Sequence, residues 1–219
     1  MYLEVKTRLR SMARRMGLIP SLHRLRSLRG DDRYEQRFGS IIIQALQPED
    51  CVWDIGANVG FYTEQFAAHC ARVVSFEPVP ENRHKIPALP NVTLLPVALG
   101  EQSGTATMSV DGPFSSLVSA ADEASNAVSV EVMRGDDVQA PRPTIVKLDV
   151  EGYELEALRG MREVLRGARA VFIEVHFNVL EQRGLRKAPS DIITELKAAG
   201  LTRISWPDAS HIAAFRPAA

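Results

Sequence analysis

Short apolar runs alternate with stretches of helical periodicity along most of this chain, and the alternation predicts a parallel sheet with helices on both faces. Residues 51–55, 72–76, 91–97, 144–150 and 170–176 are compact, rich in Val, Ile and Phe, and read as buried strands. Helical spacing is predicted over about 32–46, where Asp31 and Asp32 can cap the start and Pro48 closes the end. Further helices are expected over 60–69, after Pro80, over 153–165 and over 189–199, the last ended by Gly200. Residues 104–110 and 127–133 alternate in polarity with period two, so they are expected as extra strands inserted before the core resumes. Residues 201–205 and 211–215 would close the sheet as a hairpin pair.

The first 30 residues follow a different pattern. Val5, Leu9, Met12, Met16 and Ile19 fall on one helical stripe, with arginines on the other faces. Gly17 and Pro20 break it, and Leu22, Leu25 and Leu28 continue a second short piece. Eight basic residues stand here against Glu4 alone, although the whole chain carries a net charge of −1, so the acidic excess lies further on. The chain therefore reads as a basic amphipathic extension, residues 1–30, ahead of one domain, residues 31–219. The extension could pack as a lid, pair two copies as a homodimer, or lie on an anionic surface. Aromatic residues are not interleaved with its arginines, so no nucleic-acid partner is expected.

At 219 residues and 45% hydrophobic content, the chain can bury one sizeable core. Cys51 and Cys70 are too few for a disulfide framework or a metal cluster and read as core packing. No apolar run reaches the ~18–20 residues of a membrane span, and Arg14 and Arg15 interrupt any signal-peptide core. The cytoplasm is the expected location.

Candidate chemistry begins at Asp54-Ile55-Gly56-Ala57-Asn58-Val59-Gly60, between the first strand and its helix. A buried strand, a tight glycine turn and a helix start in that order form a nucleotide-sized cradle. Glu77 ends the second strand, where a carboxylate can accept hydrogen bonds from both hydroxyls of a ribose. A dinucleotide fingerprint needs its second glycine for close approach of the pyrophosphate, and Asn58 holds that place here. Asp54 would repel a diphosphate yet can meet an ammonium. Together these features select the zwitterionic, phosphate-free end of S-adenosylmethionine over NAD.

A second constellation lies further on. Lys147, Asp149 and Glu151 alternate with apolar residues at the end of the fourth strand, and Glu174 and His176 end the fifth. Charges on a central strand are costly unless they are paired or line a site. The carboxyl ends of strands are also where open α/β sheets hold their ligands.

Taken in order, several stretches resemble the hallmarks of FkbM-type methyltransferases over about residues 50 to 178. They are Val52-Trp53-Asp54-Ile55-Gly56-Ala57-Asn58-Val59-Gly60, Phe76-Glu77-Pro78, Val97-Ala98-Leu99-Gly100, Lys147-Leu148-Asp149-Val150-Glu151-Gly152 and Ile173-Glu174-Val175-His176. The resemblance implies a class I, Rossmann-like methyltransferase fold with a seven-stranded, mostly parallel sheet. It also implies S-adenosylmethionine-dependent O-methylation of a hydroxyl on a small molecule, either a sugar or glycan or a polyketide-type natural product. RNA methylation and a catalytically inactive cofactor-binding module are the alternatives.

On this resemblance Gly56, Ala57, Asn58 and Gly60 pass around the methionine end, with Asp54 at its ammonium. Glu77 takes the ribose, Pro78 stiffens the turn after it, and Val97 and Ala98 border the adenine. Asp149 and His176 are the expected proton acceptors, His176 for its near-neutral ordinary pKa. Glu151 and Glu174 would orient the substrate or the histidine, and Lys147 either joins the catalytic group or neutralises Asp149 or Glu151. Asp149, Glu151 and His176 could instead hold a divalent cation, Mg or Mn. Ser115 and Ser116 border the acceptor pocket or cap a turn.

Overall fold

The computed structural model describes residues 32–111, 114–118 and 127–217. The basic extension expected at residues 1–30 lies outside them. The chain divides into two compact units between Ile41 and Ile42. Helix α1, Asp32–Ala45, crosses that division, and its residues 32–41 are the described part of the first unit; the second unit carries everything else.

The strands are β1 (Cys51–Ile55), β2 (Arg72–Phe76), β3 (Val92–Leu95), β4 (Val97–Leu99), β5 (Gly104–Asp111) and β6 (Phe114–Val118). They continue as β7 (Ala127–Met133), β8 (Ile145–Leu148), β9 (Ala170–Glu174), β10 (Arg203–Ser205) and β11 (His211–Phe215). Helices α2 (Phe61–Ala67), α3 (Pro80–Arg83), α4 (Glu154–Gly160), α5 (Arg162–Gly167), α6 (Phe177–Gln182) and α7 (Ala188–Ala198) connect them.

Seven strands form one sheet in the order β10-β11-β9-β8-β1-β2-β3. All run parallel except β11, which is antiparallel to both of its neighbours. The chain winds outward from β1 to β3 and then returns to lay β8 on the other side of β1. That reversal leaves the carboxyl ends of β1 and β8 facing an open crevice, the usual ligand position in such sheets. Residues of β1, β8 and β9 are closed to solvent on both faces, which is why these strands read as continuous apolar runs. Trp53, Val146, Val171 and Ile173 belong to one core with Leu158, Met161 and Leu196 of the helical layers.

A second sheet, β4-β7-β5-β6, contains the two expected inserted strands and two elements that were not expected. The run predicted as one strand over 91–97 is divided at Pro96, which has no N–H to give to a ladder. Val97–Leu99 leaves the main sheet and pairs with β7 instead. Strand β6 escaped prediction because its serines give no apolar alternation. The helix expected over 153–165 is broken at Met161, whose φ of −128° is not helical. Just before the break, Gly160 lets the helix end approach the chain after β4, since a Cβ there would lie 1.8 Å from the carbonyl oxygen of Gly100. Helix α6 is one short turn after His176 and has too few residues to show a period.

Candidate active site

The loop after β1 is built around three residues with positive φ. Gly56 (+78°) and Gly60 (+89°) use the freedom of glycine, and Asn58 (+50°) is one of the few side chains that tolerate the left-handed region. Gly56 has a second reason to be glycine: a Cβ would fall 1.8 Å from the carbonyl oxygen of Asp149. The backbones after β1 and β8 therefore touch directly. Gly56 and Ala57 donate their N–H groups to the carbonyl of Phe76, at 3.1 and 3.0 Å, which ties the loop to the end of β2.

Glu77 sits on the wall of the resulting cleft and is almost fully buried. One carboxyl oxygen accepts the N–H of Asn58 and the other that of Val79, both at 2.8 Å. The Asn82 side chain also bonds this carboxylate, which leaves one lone pair for a ligand hydroxyl. Burial pushes this carboxyl up from its ordinary value, against the pull of the Val79 and Asn58 N–H groups. Gly56, Asn58, Pro78, Val97, Ala98 and Asp149 share the wall with it. Ala57 and Gly60 shape the loop from behind, with Gly60 N–H bonded to Ala57 at 2.8 Å. The donor set fits an adenosyl group: a buried carboxylate with a lone pair to spare, the Gly56 and Asn58 backbone on the wall, and apolar Val97 and Leu99 beyond.

Two expected site residues are placed elsewhere. Asp54 is closed to solvent and does not line the cleft. Its Oδ2 accepts the hydroxyl of Thr63 at 2.6 Å and its Oδ1 pairs with Lys147 Nζ at 3.1 Å. With the Thr63 proton committed to Asp54, the 2.8 Å contact between Thr63 and Ser75 takes its proton from Ser75. The structure therefore sets Asp54 behind the cleft, against Thr63 and Lys147, and not on the wall where an ammonium was expected to meet it. Lys147 is likewise buried and does not reach the cleft. Its ammonium donates to the carbonyl of Gly56 at 3.0 Å, pairs with Asp54, and stands 3.5 Å from Asp149 Oδ2. Burial alone would lower its pKa, but Asp54 and Asp149 override that and hold it up at about 12. The structure thus sets Lys147 behind the cleft, between Asp54 and Asp149, and not among the groups that face it.

Strand β8 ends at Leu148, two residues earlier than expected, and the chain turns sharply. Glu151 (φ +49°) and Gly152 (φ +94°) are consecutive left-handed residues. A non-glycine residue there stores strain that the surroundings must hold. Glu154, at the start of α4, holds it from inside by accepting the N–H of Gly152 at 2.9 Å. Arg183 of the following helical segment holds it from outside, donating to the Gly152 carbonyl and lying 3.6 Å over the Tyr153 ring.

The turn brings Asp149 and Glu151 beside His176, which follows β9. His176 Nε2 is 3.2 Å from Glu151 and 3.7 Å from Asp149, while Nδ1 bonds the buried Glu154 at 2.7 Å. Burial would drive the proton off His176, but the Glu154 bond and the charges of Asp149 and Glu151 reverse this and lift its pKa to about 10. The near-neutral value that recommended His176 as a base is thus altered by its neighbours. Burial, with the charges of Asp149, Glu174 and Glu154 outweighing His176, raises Glu151 to about 7. Asp149, Glu151 and His176 each present a ligand atom within 4.8 Å of the others.

Glu174 reaches the same edge, 3.4 Å from His211 Nε2, and Asp208 takes His211 Nδ1 at 2.8 Å. Ser115 and Ser116 lie in β6, opposite Val110 and Ser109, on the second sheet. Their side chains are outside the described residues. Sequence reasoning missed Glu154, His211 and Thr63. For Glu154 a signal existed: it follows Gly152 by two residues in the same motif.

This fold and cleft define a class I S-adenosylmethionine-dependent methyltransferase. The family model for the methyltransferase FkbM domain matches residues 54–201, and the chain belongs to that family. Hexuronic acid methyltransferase AglP of Haloferax volcanii is 29% identical over 176 residues, which cover 74% of this chain and 69% of that protein. Methyltransferase FkbM from Methylobacillus flagellatus superposes with a TM-score of 0.54 at 17% identity, over 78% of this chain and 44% of that one. N-methyltransferase NodS from Bradyrhizobium japonicum gives 0.51 at 14% identity, over 85% and 97% of the two chains. Both structures share the fold. Among the described residues no helix is long and apolar enough to cross a membrane.

Proposed function

We propose that the protein transfers the methyl group of S-adenosylmethionine to a hydroxyl oxygen of a sugar-type acceptor. One observation carries the reading: Asp149, on the cofactor cleft, shares a turn with Glu151 and faces His176 Nε2 at 3.7 Å. In this reading Glu77 accepts the ribose hydroxyls, Val97 and Ala98 flank the adenine, and the methionine end follows the Gly56–Asn58 loop. The bound donor supplies an electrophilic methyl on sulfur, and the chain's task is to line an oxygen up with it. Asp149 receives the hydroxyl proton as the new bond forms, steadied by Lys147 on one side and His176 on the other. The name of the 29% identical relative supports a sugar acid as acceptor. Three carboxyl groups at this edge favour a neutral hydroxyl over an anionic carboxylate as the attacking group.

A second reading places a divalent cation between Asp149, Glu151 and His176. The Glu154 bond to Nδ1 favours it, because a carboxylate behind the ring fixes the tautomer that turns Nε2 towards a metal. Mass spectrometry of products from S-adenosylmethionine and a panel of hexuronic acid and neutral hexose glycosides tests both. An alkali-stable methyl ether is expected. An alkali-labile methyl ester, formed only with added Mg or Mn, would favour the cation, and absence of any methylated glycoside would end the sugar reading.

A further inference from the structure

Beyond the acid–histidine cluster, the same edge of the sheet carries an exposed aromatic ring with no assigned role. Strands β10 and β9 run in the same direction on either side of β11, so Trp206, directly after β10, rises at the edge where Glu174 and His176 end β9. Trp206 is 42% exposed, whereas Trp53 is fully buried. Its ring lies 6.0 Å from that of Phe177, tilted by 32°. Phe177 is the residue after His176 and packs by its other side on the core.

The turn that carries Trp206 is braced. Asp208 accepts the N–H groups of Ser210 and His211 at 2.9 and 3.1 Å, and Val175 donates its N–H to the Ser210 carbonyl at 2.8 Å. Glu174 and Asp208 grip the two nitrogens of buried His211. A large apolar ring is thus held in place, in water, beside groups that handle a hydroxyl. Water-exposed aromatic area fixed next to a polar site serves to bind a partner that is apolar on one face and polar on its rim. A pyranose is such a partner. Its axial C–H face is polarised positive by the oxygens bound to the ring carbons and meets the negative face of an indole, while its hydroxyls project sideways.

We propose that Trp206, backed by Phe177, forms a subsite on which a pyranose ring of the acceptor stacks, so that one of its hydroxyls is presented towards Asp149 and His176. The proposal rests on the sugar reading above and assigns specificity within it. Phe177 fixes the tilt of the platform, and the His211 brace keeps it from folding onto the surface.

The test uses the full chain loaded with S-adenosylhomocysteine and titrated with methyl glycosides of hexuronic acids and hexoses, with an acyclic polyol as control. Only two tryptophans are present, and Trp53 is sealed in the core with its N–H given to Pro141. A change in emission on adding glycoside therefore reports Trp206. The glycosides are expected to change it and the polyol is not. In turnover, Trp206→Ala should raise the acceptor KM about tenfold, the size of one stacked ring contact. Its kcat and donor affinity should be unchanged, and Trp206→Phe should restore most of the KM. A Trp206→Ala protein with unchanged KM on a glycoside that the native protein methylates overturns the platform and leaves the sugar reading intact. Methylation of non-sugar hydroxyls only, with no glycoside accepted, removes both. Glycosides that leave the emission unaltered also sink the proposal.

Discussion

His176 is fastened through Nδ1 to Glu154, a carboxyl group with no exposure of its own, at 2.7 Å. The bond fixes which nitrogen points to the cleft and how the ring is turned. Replacing Glu154 by Gln keeps an acceptor but removes the charge. We expect turnover to fall about 10- to 100-fold, the worth of one hydrogen bond to a charged group. Donor affinity, measured by calorimetry, should not change.

Lys147 presents a different dependence, because its ammonium is shared by Asp54, Asp149 and the Gly56 carbonyl. Lys147→Met leaves Asp54 as a buried charge facing only Thr63. Unfolding in urea should show a loss of about 3–5 kcal/mol. Adding Asp54→Asn to that variant should recover part of the loss, since the two residues act as one unit.

Two glycines make a matched comparison. Gly56→Ala places a methyl group 1.8 Å from the Asp149 carbonyl at a φ of +78°, so either the loop or the turn must move. Donor binding should be lost together with several degrees of melting temperature. At Gly167, the last residue of α5, a Cβ meets nothing within 4 Å. Gly167→Ala should be neutral or stabilising by up to about 1 kcal/mol.

Glu77→Ala removes the acceptor of two backbone N–H groups as well as the candidate ribose ligand. The donor dissociation constant should rise by at least about tenfold. Circular dichroism should show the sheet retained. Unchanged donor affinity would contradict the role proposed for Glu77.

His211 gives a pH signature. Burial would lower its pKa, but Glu174 and then Asp208 raise it above the ordinary value of 6.5. A histidine whose folded pKa is raised stabilises the fold fully below its unfolded pKa, and that contribution fades as pH rises through the folded one. Stability should therefore decline above about pH 6.5, with His176, raised to about 10, adding its own share to the same decline. His211→Gln should flatten that part of the urea-midpoint profile, and a variant that declines just as steeply would rule His211 out as the cause.

The shape of the loop after β1 was legible in the sequence, because it is set locally. Gly56, Asn58 and Gly60 sit within five positions, and the left-handed backbone they adopt is what those residue types permit. The order of apolar runs likewise carried the sheet, down to the closing β10–β11 pair. What stayed hidden depends on neighbours far along the chain. Asp54 and Lys147 pair only because β8 returns to lie beside β1, so nothing local distinguishes Asp54 from a ligand-facing acid. Glu154 at a helix start reads as a surface acid complementing the helix dipole, and only packing shows that it is sealed in behind His176. His211 falls in an ordinary edge strand until its register against Glu174 is known. Pro96, by contrast, announced the end of β3 and was outweighed by the apolar run around it.

The antiparallel placement of β11 has a bearing on how this scaffold can diversify. Because β11 turns the chain back, the rim above Glu174 and His176 is bordered by a short reversal, residues 206–210, and not by a helix embedded in the interior. Such a reversal can be lengthened, shortened or re-sequenced while the strands beneath keep their register. On the proposed reading, changes at this one margin would alter acceptor choice while the Gly56–Gly60 loop, four strands away, is inherited untouched.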